Sequence, residues 1–183
     1  MRPIRIAISG AQCSGKTTLI NLMKKYSYFE DFDFVESFSN KIAKTSKEHS
    51  ENTNLATQLQ MLYYSINDLK DIDVPTIHDR CILDVIVYTG INKDIDMQLF
   101  VDSLEKYYKQ FDFIFILDSE NIPLETNGVR SIDPDFRSKI NNIFRRVDLE
   151  NVIHLDSNLD PDSRMIKIIE TLRKSRREEC IIE

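Results

Sequence analysis

The chain has 183 residues, 42% of them hydrophobic, enough for one domain with a sizeable core and short for two. Thirty Asp and Glu against 24 Lys and Arg give a net charge of -6, which argues against nucleic acid as the main partner, because affinity for a phosphate backbone comes from Lys and Arg. The three scattered cysteines, Cys13, Cys81 and Cys180, suggest neither a disulfide framework nor a zinc site, and no apolar run approaches the roughly 18 residues of a membrane span.

Few residues break regular structure: Pro occurs five times and Gly four. In chain order, "IRIAIS" at 4–9 is the first strand-like run. The loop "GAQCSGKT" follows it, and a helical pattern from Lys16 to Tyr26 sets Leu19, Ile20, Leu22 and Met23 on one side. "FDFVES" at 32–37 is the second strand, and Glu36 stands near its end. The segment Asn54 to Leu69 repeats Leu55, Leu59, Leu62 and Tyr63 at helical spacing. "VPTIHD" at 74–79 is the third strand, followed by Arg80 and a short apolar helix over Leu83 to Tyr88. A helix over Asp96 to Tyr108 carries Met97, Phe100, Val101 and Leu104. "FDFIFILD" at 111–118 and "NVIHLD" at 151–156 are the last two strands. The helices that follow them both open on "DPD", at Asp133-Pro134 and Asp160-Pro161, where Asp caps and Pro fills the first turn. Strands that are nearly continuously apolar, alternating with helices, predict an α/β fold whose parallel sheet is covered on both faces. The opening of the chain carries no basic-then-apolar leader, so a cytoplasmic protein with no membrane partner is expected.

Gly10 to Thr17 fits G-x-x-x-x-G-K-[ST] between a strand and a helix. This spacing wraps successive backbone N–H groups around a phosphate and points a helix N-terminus at the anion. Gly10, Gln12, Cys13, Ser14, Gly15, Lys16, Thr17 and Thr18 are therefore the expected nucleotide-binding residues. Lys16 reaches the β- and γ-phosphates of ATP, and the Thr17 hydroxyl is a ligand for Mg²⁺. Cys13 reads as a small tolerated residue at a variable position of the loop. Asp79 and Arg80 end the third strand, at the sheet edge where ligands of open α/β sheets bind. If that strand lies beside the first, Asp79 faces the phosphate loop as a second Mg²⁺ ligand and Arg80 meets a phosphate with its fork of donors. His78, inside the strand, reads as a packed residue.

A phosphate loop after the first strand, an acid ending the second, and Asp-Arg ending the third resemble the P-loop nucleoside and nucleotide kinases, the thymidylate kinase and deoxynucleoside kinase group. The stretch "ETNGVRSIDPDFRSKI" is similar to the lid of the nicotinamide riboside kinase domain and its small AAA-type ATPase/kinase relatives. The resemblance implies a three-layer α/β/α fold, a five-stranded parallel sheet ordered 2-3-1-4-5, and one kinase domain over 1–183 with a lid around 122–140. It implies ATP and Mg²⁺ as cofactors, a small-molecule nucleoside or nucleotide as acceptor, and room for a homodimer. Glu36 then orients the acceptor hydroxyl and takes its proton. Gln58 and Tyr63, with Gln60 and Tyr64 beside them, would contact the acceptor's base. Arg130 and Arg137 would close over the transferred phosphoryl group.

Two other functions stay open on these residues. One is a P-loop ATPase or GTPase switch; "NKDI" at 92–95 begins like a guanine-recognition motif but lacks its Asp. The other is a kinase acting on a hydroxyl of DNA or of a modified base, which the acidic balance disfavours.

Overall fold

Ile6 and Ile8 belong to one hydrophobic cluster and Ala7, between them, to another, as the two-residue period of a strand requires. The fourth strand divides the same way, with Phe115 and Leu117 in the first cluster and Ile114 and Ile116 in the second. The sheet is thus buried on both faces. The computed structural model describes residues 2–43, 55–70, 72–91, 96–123 and 133–182. The elements run β1 (Arg5–Ser9), α1 (Lys16–Met23), β2 (Asp33–Val35), α2 (Phe38–Ala43), α3 (Leu55–Asn67), β3 (Thr76–Asp79), α4 (Ile82–Thr89), α5 (Met97–Tyr108), β4 (Phe113–Leu117), α6 (Pro134–Arg145), β5 (Val152–Leu155) and α7 (Pro161–Ile182).

All strand pairs are parallel, and the order is β2-β3-β1-β4-β5. On one face, Leu19, Ile20 and Met23 of α1 pack with Met165, Ile168, Ile169 and Leu172 of α7. On the other, the buried side chains of α4 meet Leu104 and Tyr108 of α5 and Ile140 and Phe144 of α6. Burying each of these large apolar side chains stabilises the fold by roughly 1.5–3 kcal/mol. The expected three-layer α/β/α architecture and strand order are both present.

Several local differences have physical causes. The strands are shorter than their apolar runs, although flanking residues still bond across: the Thr76, Asp33 and Ile114 N–H groups donate to the carbonyls of Ile4, Pro75 and Asn151. The first helix ends at Met23, and a 3₁₀ turn over Ser27–Phe29 then places Phe29 in the core, 2% exposed. The helix α2 was not expected; buried Phe38 and Ile42, four residues apart, anchor one face of it. The helix expected around Leu55, Leu59, Leu62 and Tyr63 is present as α3; Leu59 and Tyr63 lie on its outer side, 55% and 64% exposed, whereas Leu62, Ile66 and Leu69 pack against the core. Among the described residues no helix is long and apolar enough to cross a membrane.

Candidate functional site

The register aligns the carboxyl ends of the strands. Ile8 lies beside Asp79, Val35 beside His78, Ser9 beside Ile116, and Leu117 beside Leu155. The phosphate loop leaves β1 at this edge, between the neighbours β3 and β4, where the chain's direction of winding reverses.

The loop is shaped by close contact. A Cβ on Gly10, whose φ is +136°, would come within 2.6 Å of the Leu117 carbonyl oxygen, so only glycine fits. Cys13 and Gly15 both take positive φ, 55° and 88°, on either side of Ser14. That alternation forms an anion-binding nest of N–H groups. Cys13 is therefore a shaped part of the loop and not merely a tolerated residue. Lys16, 4% exposed, donates from Nζ to the carbonyls of Gly10 (2.8 Å) and Ala11 (2.6 Å) and to Ser14 Oγ (3.0 Å). Thr17 and Thr18 are exposed in the first turn of α1. Cys13 to Leu19 line a cavity of about 610 Å³, closed by Asn40 near β2, by Ile122 and Pro123 after β4, and by Leu159, Pro161 and Arg164 at the β5–α7 junction.

A second set of residues joins β3 and α4 to this loop. Arg80 has φ 75°, a strained conformation for a side chain this large. Its backbone N–H donates to the Ile8 carbonyl (3.0 Å), and its guanidinium pairs with Asp84 (3.1 Å) and stands 5.6 Å from the centre of the Tyr88 ring. Burial opposes the Arg80 charge, but Tyr88, Asp84 and Asp79 outweigh it and hold the guanidinium above its ordinary range. Asp84, 1% exposed, also accepts from Ser9 Oγ (2.7 Å) and the Cys81 N–H (3.0 Å). It closes a capping box with Cys81, so the helix cap is not made by Asp79. Burial pushes the Cys81 thiol up to about 12, which leaves it un-ionised at neutral pH. Tyr88 OH donates to Gln12 Oε1 (3.1 Å), so Gln12 turns its side chain toward α4, while its Nε2 has no partner among the described residues. His78 packs edge-on against Phe111, as expected.

Glu36 follows Val35, and Asp79 follows His78, so the two acids stand at neighbouring positions of adjacent strands. Glu36 is exposed and Asp79 half-buried. On α3, Gln58 Oε1 accepts from Thr89 Oγ1 of α4 (3.4 Å). Tyr63, five residues on, is rotated about 140° from it and stacks edge-on with Tyr64 at 5.7 Å. These two side chains do not converge on one face. Arg130 and the NKDI segment lie outside the described residues. Arg137, 7% exposed, donates to the Ser119 carbonyl and to that of Ile122 (2.6 Å), fixing the chain after β4. Burial lowers its pKa. Arg145 bonds Asp118 (2.6 Å) and Glu120, and Asn141 Nδ2 donates to Asp118 (2.8 Å). Burial opposes the Asp118 charge, but these hydrogen bonds hold its carboxyl below the usual range.

Two residues at this site were not singled out from the sequence. Asp84 is a lone acid in the apolar run "CILDVIVY", and Arg164 shares a helix face with Met165, Ile168 and Leu172. A charge set into an apolar face was the available signal for both.

The AAA domain family matches residues 5–152. The chain belongs to the AAA domain family. Thymidylate kinase from Candida albicans superposes with a TM-score of 0.64 at 18% identity, over 96% of this chain and 93% of that one. Deoxyadenosine kinase from M. mycoides with bound dATP gives 0.60 at 16% identity, over 93% of this chain and all of the other. The same kinase with dCMP and a flexible dCDP bound gives 0.61 at 18%, over 93% and 99%. At these identities the likeness is one of fold: this AAA domain chain has the fold of the P-loop nucleoside and nucleotide kinases. A comparison with curated proteins returns no match.

Proposed function

We propose that this AAA domain protein is an ATP-dependent kinase that transfers the γ-phosphoryl group to a nucleoside, nucleotide or nucleoside-like small molecule. The observation that supports the reading is the strand register: Val35 lies beside His78 and Ile8 beside Asp79, so the residues that follow, Glu36 after β2 and Arg80 after Asp79, leave the sheet at the edge from which the phosphate loop departs. A switch protein needs the loop; only a kinase must also hold an acceptor hydroxyl. The Cys13–Gly15 nest and Lys16 cradle the β- and γ-phosphates, and the end of α1 adds its dipole. Thr17 and Asp79 offer hydroxyl and carboxylate oxygens, hard donors that suit Mg²⁺. Held by these two residues, Mg²⁺ would neutralise charge on the phosphates. Glu36 accepts the acceptor's proton as the bond to phosphorus forms. Arg80, fixed by Asp84 and Tyr88, presents a positive charge on the acceptor side.

Gln58 is retained as an acceptor contact, because it lies against α4; Tyr63, on another face, is not. The chain acts as one kinase domain, in which 122–140 serves as the lid. Arg130 supplies charge in the transition state, whereas Arg137 steadies the lid's base through the Ser119 and Ile122 carbonyls. The AAA domain match favours one second reading, an ATPase switch without an acceptor. Incubation with γ-labelled ATP, Mg²⁺ and a panel of nucleosides, monophosphates, nicotinamide riboside and a DNA oligonucleotide separates the readings. Label on a nucleoside-class molecule is expected. Label on DNA alone, or released only as phosphate, would overturn the proposal.

A further inference from the structure

Arg164, in the first turn of α7, is 3% exposed and lines the cavity over the phosphate loop. Among the described residues its guanidinium hydrogen-bonds to backbone carbonyls. Nη1 donates to Ser14 O (2.9 Å), Nη2 to Asp118 O (3.0 Å) and Asp156 O (2.9 Å), and Nε to Asp156 O (3.2 Å). One side chain thus ties the phosphate loop to the ends of β4 and β5. These four bonds use four of the five N–H groups of an arginine; the fifth, on Nη1, has no partner among the described residues. Among the described residues no carboxylate hydrogen-bonds to it; burial opposes its charge, and Asp118 and Asp156 favour it through space only. A buried cation held in this way gains from an anion brought to the cavity it lines.

The bond to Ser14 has a geometric consequence. In a planar trans peptide the C=O and the following N–H point in opposite directions. The carbonyl of Ser14 is drawn toward Arg164, so the N–H of Gly15, in the same peptide, is turned the other way. Gly15 is also held close: a Cβ added there would stand 3.4 Å from Arg164 Nη1. We propose that Arg164 is a positioning residue of the phosphate site: by holding Ser14 O it aims the Gly15 N–H into the cradle, and its buried charge strengthens the hold on a polyphosphate. The proposal rests on the reading of this loop as a polyphosphate site.

The two claims are tested together on the full chain with inorganic tripolyphosphate as the probe. Its dissociation constant is measured by calorimetry, and the Gly15 amide proton is followed by NMR, in the wild type and in Arg164→Lys. Lysine keeps the charge but has no planar fork to span three carbonyls. In the wild type the Gly15 proton should move downfield on binding. In Arg164→Lys the displacement should be smaller and the dissociation constant about tenfold higher, the loss of one well-aimed charge-assisted hydrogen bond. Equal displacement in the two proteins overturns the aiming role, whatever happens to affinity. Equal affinity overturns the proposal entirely. Absence of any tripolyphosphate binding by the folded wild type would instead remove the polyphosphate reading of the loop, and the proposal with it. Arg164→Met, compared by thermal melting and titration, separates the roles further. Lower stability with unchanged tripolyphosphate affinity would reduce Arg164 to a brace between strands.

Discussion

The two sides of the strand-end edge are built differently. The proposed phosphate side, at the ends of β1, β4 and β5, is made largely of backbone: a glycine pressed against the Leu117 carbonyl, a nest at Cys13–Gly15, and Lys16 and Arg164 holding loop carbonyls. The proposed acceptor side, at β2 and β3, is made of side chains drawn from several elements: Glu36, Asp79, Arg80 and Gln58. Backbone shape is written in residue spacing, because only certain residues tolerate the required φ. A side-chain constellation exists only after the strands have aligned. The phosphate side is therefore rigid and general, and the acceptor side is where one member of such a fold can differ from another.

Substitutions on the two sides should separate accordingly. Lys16→Ala should abolish transfer to every acceptor, by at least about a hundredfold in kcat, with the fold intact by circular dichroism. Near wild-type turnover would end the phosphate-side account. Gly10→Ala should act through the backbone, destabilising by more than about 1 kcal/mol and weakening ATP binding, because the new methyl meets a carbonyl at positive φ. An unchanged melting temperature would show that the loop tolerates the shape change. Arg130→Ala should lower kcat at least about tenfold with little effect on ATP affinity, since a lid charge is felt mainly in the transition state. Equal activity would return this segment to an ordinary surface loop.

The smallest effect is expected at the Asp118 carboxyl, which braces β4 to α6 while the backbone carbonyl of the same residue is held by Arg164. Its carboxyl titrates below the ordinary range, despite burial, because Arg145 and Asn141 bind the charged form. The stability it adds is present above the usual carboxylate range and is lost as pH falls through the depressed value. Asp118→Asn should therefore flatten the acid limb of stability below the usual carboxylate range, leaving ATP affinity unchanged. An acid limb as steep as the wild type's would assign that sensitivity to other carboxylates.

The sequence disclosed these parts unevenly, for the same physical reason. The phosphate loop, the parallel sheet and the caps at Asp133 and Asp160 rest on local rules of spacing and propensity, and all appear as expected. The neighbouring positions of Glu36 and Asp79 depended on β2, β3 and β1 lying side by side, which one-dimensional periodicity does not contain. Which face of α3 is covered was not legible, because Leu55, Leu59, Leu62 and Tyr63 all fit helical spacing, and spacing alone does not say which stripe is buried. Asp84 and Arg164 were overlooked because each sits within an apolar pattern and acts through bonds to residues 75 and 150 positions away.

The central claim is that the acceptor side handles a hydroxyl while the phosphate side handles ATP, and Glu36→Gln tests it most directly. The substitution keeps the shape of the side chain and removes its capacity to take a proton. On one preparation, ATP binding is titrated and phosphoryl transfer to the best acceptor is timed. The account predicts that ATP affinity, and any slow hydrolysis by water, stay near wild type while transfer falls by at least about a hundredfold. Intact transfer would contradict the role of Glu36, and a parallel loss of ATP binding would make it a structural residue of the loop's surroundings.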